Sequence, residues 1–226
     1  MKNIVLLVLV LIAAFINHDV IAQRGKKQKL ESKIDSVSYA IGVSFANSVK
    51  SQNIPDLNVE KISQAINDIL NNKEAKISNE ESQSIIQAYM KILQQEIKTN
   101  NLIKANTFLK ENKTKGGIVT LPSGLQYKIL KKGEGQSPVA SDRVITHYKG
   151  TLLDGTVFDS SYDRGEPITF GVTRVIKAWQ EALQLMKPGA KWKLFVHPDL
   201  GYGDRGTGPI PANALLIFEI ELIGIE

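Results

Sequence analysis

Two different periods run along this chain, a helical one in the first half and an alternating one in the second. From about Ser32, apolar residues recur at three- and four-residue steps: Ile34, Val37, Ile41, Phe45 and Val49 put one stripe on one face of a helix. Gly42 is expected to interrupt this helix, and Asn53-Ile54-Pro55-Asp56 to break it. Val59 to Leu70 predicts a second amphipathic helix with Ile62, Ala65, Ile66, Ile69 and Leu70 inward, ended by Asn71-Asn72. Ser78-Asn79-Glu80-Glu81 has the spacing of a capping box, in which hydroxyl and carboxylate each satisfy an orphan amide of a first turn. No Pro or Gly follows until Gly116-Gly117, so a third helix is predicted from about Asn79 to Lys113. At 1.5 Å per residue it is on the order of 50 Å long.

Beyond Gly116-Gly117 the pattern changes to short strand-like runs separated by turns. Leu125 to Leu130, Val144 to Leu152, Val157 to Ser160, Ile168 to Phe170, Lys191 to Val196 and Leu215 to Leu222 read as strands, with Asp154-Gly155 a hairpin signal. Val175 to Met186 is the one convincing helix of this half, closed by Lys187-Pro188-Gly189. The predicted class is α+β: an all-helical amino-terminal region with a long stalk helix, then a bent antiparallel sheet wrapped around one short helix.

At 226 residues, 42% of them hydrophobic, the chain is long enough for two domains. Its first 22 residues stand apart: Lys2 precedes the apolar run Ile4 to Ile16, and Val20-Ile21-Ala22 offers a small residue before Gln23. This is the layout of a secretory signal peptide cleaved after Ala22. The run is shorter than the ~20 residues a membrane-spanning helix needs. Removing the leader takes away one basic and one acidic residue, which leaves the formal charge at +5. The basic run Arg24 to Lys29 is expected to be a solvated leader, with no nucleic-acid partner. Cysteine is absent, which excludes disulfides and thiol chemistry.

Three short amphipathic helices bury little apolar area alone, so a homodimer is the natural cover for their faces. A periodic helix beyond about 25 residues is usually a coiled coil or a spacer, and the Lys- and Asn-rich stretch Lys98 to Lys115 fits an exposed stalk. The alternative is an ordinary three-helix bundle with a frayed tail. The expected boundaries are 1–22 leader, 23–77 helical dimerisation region, 78–116 long linker helix and 117–226 second domain.

In that second domain the segment Val175-Ile176-Lys177-Ala178-Trp179 is surrounded in sequence by Tyr148, Phe158-Asp159, Tyr202-Gly203 and Phe218. Few of these groups do acid–base or nucleophilic work, so the set points to a binding cleft. By composition alone Trp179 is more readily a plain core aromatic. The motifs Tyr148-Lys149-Gly150, Asp154-Gly155, Phe158-Asp159-Ser160-Ser161, Val175-Ile176-x-x-Trp179, Tyr202-Gly203, Ile210-Pro211 and Phe218-Glu219-Ile220-Glu221-Leu222, in this order, resemble the FKBP-type peptidyl-prolyl cis-trans isomerases. The resemblance spans roughly Gly124 to Glu226. Ser38-Tyr39-Ala40-Ile41-Gly42 and the helices that follow resemble the amino-terminal region of the macrophage infectivity potentiator group, where that region makes the dimer and the long helix is the stalk.

The resemblance implies catalysis of Xaa-Pro rotation, which breaks no bond and forms no formal charge and so requires neither nucleophile nor metal; no cofactor is expected. It implies catalytic roles for Asp159, Tyr202 and Tyr148. It implies a substrate-binding lining of Phe158, Ile168, Phe170, Val175, Ile176, Trp179, Ile210 and Phe218. Within these, the Ile176 N–H would hold one substrate carbonyl, the Tyr202 hydroxyl another, and Asp159 would orient the site. A bland role for Asp159 is a turn carboxylate paired with a base such as Arg164. Expected partners are unfolded or proline-containing proteins, a second copy of the chain, and macrolide inhibitors of the FK506 and rapamycin type. The expected location is the periplasm or outer surface of a Gram-negative bacterium. Arg174, Ala178 and Ile168 depart from the better-known small members at the rim, and the Gly203 to Asn213 loop has no His. His147 and His197 are expected to be structural. Rival readings are a non-catalytic chaperone on the same fold and, on charge alone, a matrix-binding surface protein.

Overall fold

The computed structural model describes residues 30–52, 54 and 56–226. The expected leader, its predicted cleavage site and the basic run after it lie outside the described residues. The chain divides into two compact units, Met1–Ala75 and Lys76–Glu226.

In the first unit, α1 (Lys33–Ser51) opens on a capping box in which the Asp35 amide donates to the Ser32 hydroxyl and the Ser32 amide to the Asp35 carboxylate. Contrary to the expectation from Gly42, α1 is continuous through that residue. A single interior glycine costs about 1 kcal/mol against alanine, too little to stop nineteen residues with good caps. Helix α2 (Val59–Leu70) ends at Asn71, as its Asn-Asn stop signal predicts. Neither helix contains a buried residue. Ile34 and Ile41 are 69% and 65% exposed, so the apolar stripes read from the sequence are uncovered in a single copy.

The second unit begins with α3 (Asn79–Asn112), opened by the anticipated Ser78–Glu81 capping box. It continues through β1 (Ile118–Thr120), β2 (Gln126–Lys131), β3 (Arg143–Leu152), β4 (Val157–Ser160), the one-turn α4 (Ser161–Arg164), β5 (Ile168–Gly171), α5 (Lys177–Leu183), β6 (Lys191–Val196) and β7 (Leu216–Ile225). The sheet is antiparallel with order β1-β2-β6-β7-β3-β4, and β5 pairs with the first half of β3. Strand β1 and helix α4 were not anticipated, being too short to show a period. Helix α5 is shorter than its apolar pattern suggested, because Val175 and Ile176 stay extended.

Alternation places Leu194, Phe218, Ile220, Leu222, Tyr148 and Val144 on the inner face of the sheet. There they pack on Trp179, Ala182 and Leu183 of α5. Strand β6 breaks the rule: Phe195 is buried although it points the other way. The register aligns Gln126, Phe195, Ile217 and Thr151 across the sheet's outer face. Over this row lies the end of α3, where Ala105, Phe108 and Leu109 cluster with Phe195, Leu215 and Ile217. Side chains such as Phe195 and Leu109 contribute about 1.5–3 kcal/mol each when removed from water. A polar clasp completes the seam: Gln126 Nε2 donates to the Leu109 carbonyl at 2.8 Å, and Asn112 Nδ2 donates to Gln126 Oε1 at 3.0 Å. The stretch from Lys98 is therefore no exposed stalk; one face of it is docked on the sheet.

Candidate active site

The β3–β4 hairpin turns where Asp154-Gly155 predicted, with the Leu152 amide donating to the Thr156 carbonyl at 2.9 Å. This turn brings Phe158 and Asp159 beside Tyr148 and Gly150. Gly150 is required for the aromatic wall, because a Cβ there would stand 2.5 Å from the Phe158 ring and 2.9 Å from that of Phe218. The buried Ser161 hydroxyl fixes the strand at the same level: it accepts from the Tyr148 amide at 2.8 Å and lies 2.9 Å from His147 Nδ1. His147 also stacks on Tyr162, and His197 Nδ1 accepts from the Asp199 amide, so both histidines serve local structure.

Between β5 and α5 the chain passes through Arg174, Val175 and Ile176. Gln180 Nε2 reaches back from α5 to the Val175 carbonyl at 2.7 Å and pins the extended pair. The Ile176 carbonyl accepts from the Trp179 and Gln180 amides of α5, while its own N–H donates to no partner among the described residues, as befits a helix start. Trp179, 5% exposed, lies beneath. Its ring centroid is 5.0 Å from that of Tyr148 and 5.2 Å from that of Phe218, both edge-on, and 5.5 Å from that of Phe170. Such geometry matches the ring quadrupoles and makes a stiff floor.

The result is one hollow of about 640 Å³. The residues singled out in the sequence, Tyr148, Phe158, Asp159, Ile168, Phe170, Val175, Ile176, Trp179, Tyr202, Ile210 and Phe218, all line it. Arg174, expected at the rim, lines it as well, and so do Thr207, Gly208 and Pro209, which carry no individual signal in the sequence. The Gly-Thr-Gly-Pro run is a turn signal, but nothing local says which way such a loop folds. Trp179 and Tyr202 share the hollow, so the aromatic is both core and floor.

One polar cluster stands in this apolar wall. The Tyr148 hydroxyl donates to Asp159 Oδ2, Arg164 Nη1 donates to Asp159 Oδ1, and Arg164 Nη2 lies 2.9 Å from the Tyr148 hydroxyl. Asp159 therefore has the Arg164 partner of its bland reading and also a place in the cleft. Partial burial pushes its carboxyl up, but the hydrogen bonds from Tyr148 and Arg164 outweigh this and hold it below the ordinary 3.8. Burial, and then the bond to Asp159, pushes the Tyr148 phenol above 10.0. Tyr202 is raised too, by burial and by the nearby Asp159 charge. At neutral pH the Asp159 carboxylate is thus neutralised by the Arg164 guanidinium, and the Tyr148 and Tyr202 phenols are protonated. The Tyr202 hydroxyl donates to no acceptor among the described residues, so it is available to a ligand.

A family model described as FKBP-type peptidyl-prolyl cis-trans isomerase matches residues 134–223. A second, described as the domain amino terminal to FKBP-type peptidyl-prolyl isomerase, matches residues 34–129. The chain is 42% identical over 200 residues to a Legionella longbeachae protein named outer membrane protein MIP, with 85% of each chain covered. It is 40% identical over 205 residues to the peptidyl-prolyl cis-trans isomerase Mip of Coxiella burnetii, covering 87% of this chain and 89% of the relative. The crystal structure of FkpA from Escherichia coli superposes with a TM-score of 0.70 at 32% identity, over 88% of this chain and 99% of that one.

Proposed function

This chain belongs to the FKBP-type peptidyl-prolyl cis-trans isomerases, and from that membership we propose that its aromatic hollow is where an Xaa-Pro bond is turned. Peptide rotation meets a barrier of ~18–20 kcal/mol, and Xaa-Pro bonds take tens to hundreds of seconds unaided. The twisted amide at the top of the barrier has lost resonance and is less polar than the planar one. A dry, apolar cleft favours it over the ground state, and only such differential binding accelerates the reaction.

The proline ring sits on Trp179, between Tyr148, Phe158, Val175 and Phe218. The Ile176 N–H and the Tyr202 hydroxyl each donate to a substrate carbonyl and hold the flanking chain while the bond rotates. Asp159, kept ionised and fixed by Tyr148 and Arg164, orients the wall and presents a carboxylate to the twisted amide. The observation that carries this reading is the convergence of these residues on one hollow floored by Trp179.

The uncovered apolar stripes of α1 and α2 support a homodimer formed through these helices, with unfolded proteins as clients. The charge and apolar run of the first 22 residues support export, toward the envelope where the Legionella relative's name places that protein. Macrolides of the FK506 and rapamycin type are expected to occupy the same hollow.

A proline-limited refolding assay with the full-length protein tests the activity. Acceleration that is blocked by such a macrolide and lost in Trp179→Ala is expected. A folded wild-type protein that leaves the slow phase untouched refutes catalysis and favours a non-catalytic binding module. Sedimentation across concentration tests the dimer, which Ile41→Glu should dissociate.

A further inference from the structure

One wall of the cleft is a long loop, residues 201–214, which carries Tyr202 and the segment Thr207 to Ile210. Irregular segments of this length are costly to order. Internal bonds give this one its shape: Thr207 and Ile210 exchange backbone hydrogen bonds of 3.0 and 2.8 Å, and the Asn213 amide closes the base on the Gly203 carbonyl at 2.9 Å. Gly206 makes the turn possible, since at φ +65° any Cβ would lie 2.3 Å from the Ile210 carbonyl oxygen.

A second set of bonds ties the loop to α3, more than a hundred residues earlier in the chain. Asn213 Nδ2 donates to the Lys98 carbonyl at 3.2 Å, Asn101 Nδ2 donates to the Ala212 carbonyl at 2.9 Å, and Lys98 Nζ meets Asp204 Oδ2 at 2.6 Å. Asn213 is 8% exposed and has φ +54°, a left-handed conformation that Asn tolerates better than most residues. Its backbone bond sets the loop's base and its side chain sets the distance to the helix. Both ends of the Tyr202-bearing loop are thus fastened to the same turn of α3.

We propose that Asn101 and Asn213 are positioning residues for the prolyl cleft, acting through the loop on Tyr202 and Ile210. The face of α3 that carries Lys98, Asn101 and Ala105 is then part of the active-site scaffold, and any change in how it lies on the sheet is felt at the cleft. The inference rests on the isomerase reading for its kinetic consequence, though not for the fastening itself.

The test uses full-length Asn101→Asp and Asn213→Asp. Each keeps the shape of the side chain but replaces a donor with an acceptor facing a carbonyl, and Asp at 213 still tolerates the left-handed backbone. Asn100→Asp, one residue away on the exposed side of the helix, is the control. Amide exchange in residues 203–213 should quicken by about tenfold while the sheet is unchanged. With a Leu-Pro peptide, kcat/KM should fall about three- to tenfold. The further loss on Tyr202→Phe should be smaller in the Asn213→Asp background than in wild type, as coupling through one position requires. Unchanged loop exchange, effects no larger than those of the control, or fully additive losses with Tyr202→Phe would overturn the proposal. If Asn213→Asp does not fold, Lys98→Gln at the partly exposed ion pair carries the same comparison, with faster loop exchange expected and wild-type exchange refuting. Should wild type itself prove inactive, the isomerase reading falls alone, and exchange still decides the fastening.

Discussion

Adding one methyl group at Gly150 should disable the cleft far more than it destabilises the fold. The new Cβ would lie 2.5 Å from Cε2 and Cζ of Phe158, where ordinary contact begins at 3.4 Å, so that ring must retreat by about 0.9 Å. Phe218, 3% exposed and 2.9 Å away, has little room to move. Phe158 is only half-buried and lines the hollow, so a displaced ring there changes the wall that a proline ring would pack against. Overpacking costs about 1–3 kcal/mol, and in a domain of this size each kcal/mol lowers the melting temperature by about 2–4 °C. A displacement near 1 Å in a binding wall costs on the order of a hundredfold in rate. Gly150→Ala should therefore melt only a few degrees below wild type yet lose at least about tenfold in kcat/KM toward a Leu-Pro peptide, with KM raised. Phe158→Leu in the same background should recover melting temperature without restoring full activity. A Gly150→Ala protein with wild-type kcat/KM would refute the reasoning, since the wall would then have no role in positioning substrate.

Four further outcomes follow from the charges and the seam. Asp159 has a folded pKa below 3.8, so its stabilising contribution is present above about pH 4 and is lost as pH falls through the depressed value. With Tyr148 and Tyr202 pushed above 10.0, kcat/KM should be flat from about pH 5 to 9, and a titrating limb near neutrality would exclude these groups as the operative ones. Arg174 lines the hollow and makes no ion pair among the described residues, whereas Asp159 is neutralised by Arg164. Glu-Pro peptides should be turned over about two- to fivefold better than Lys-Pro at low salt, with the ratio shrinking in salt and inverting in Arg174→Glu; a ratio indifferent to Arg174 refutes this. Gln126→Ala leaves the Leu109 carbonyl and the Asn112 amide buried without their partner, and thermal melting should show a loss of about 1–3 kcal/mol. A variant that melts with wild type would mean the clasp does not hold α3 down.

The strands other than β1, the Asp154-Gly155 hairpin and the Ser78 capping box were legible because each is set by a local period or by side chains within four residues of the backbone they satisfy. The lining of the cleft was legible in another way, through the order of motifs spread from Tyr148 to Phe218. The lining residues Thr207 to Pro209 escaped both routes, because a turn signal says that a chain bends and not toward what. Helix α5 was read too long for a related reason: Val175 and Ile176 continue the apolar period of the helix, yet they face the hollow as extended residues.

What the amino-acid order determined unaided was therefore local: the capped start of α3, the alternation of the longer strands and the turn at Asp154-Gly155. Which face of α3 is covered was decided only in three dimensions. Ala105, Phe108 and Leu109 are thinly spaced among Lys and Asn, and they become a seam only because the sheet register lines Phe195 and Ile217 up with Gln126. The fastening of the Tyr202 loop by Asn101 and Asn213 is of the same kind. Hydrogen bonds between groups more than a hundred residues apart leave no period in the chain, since their partners are chosen by the packing of elements and not by their spacing.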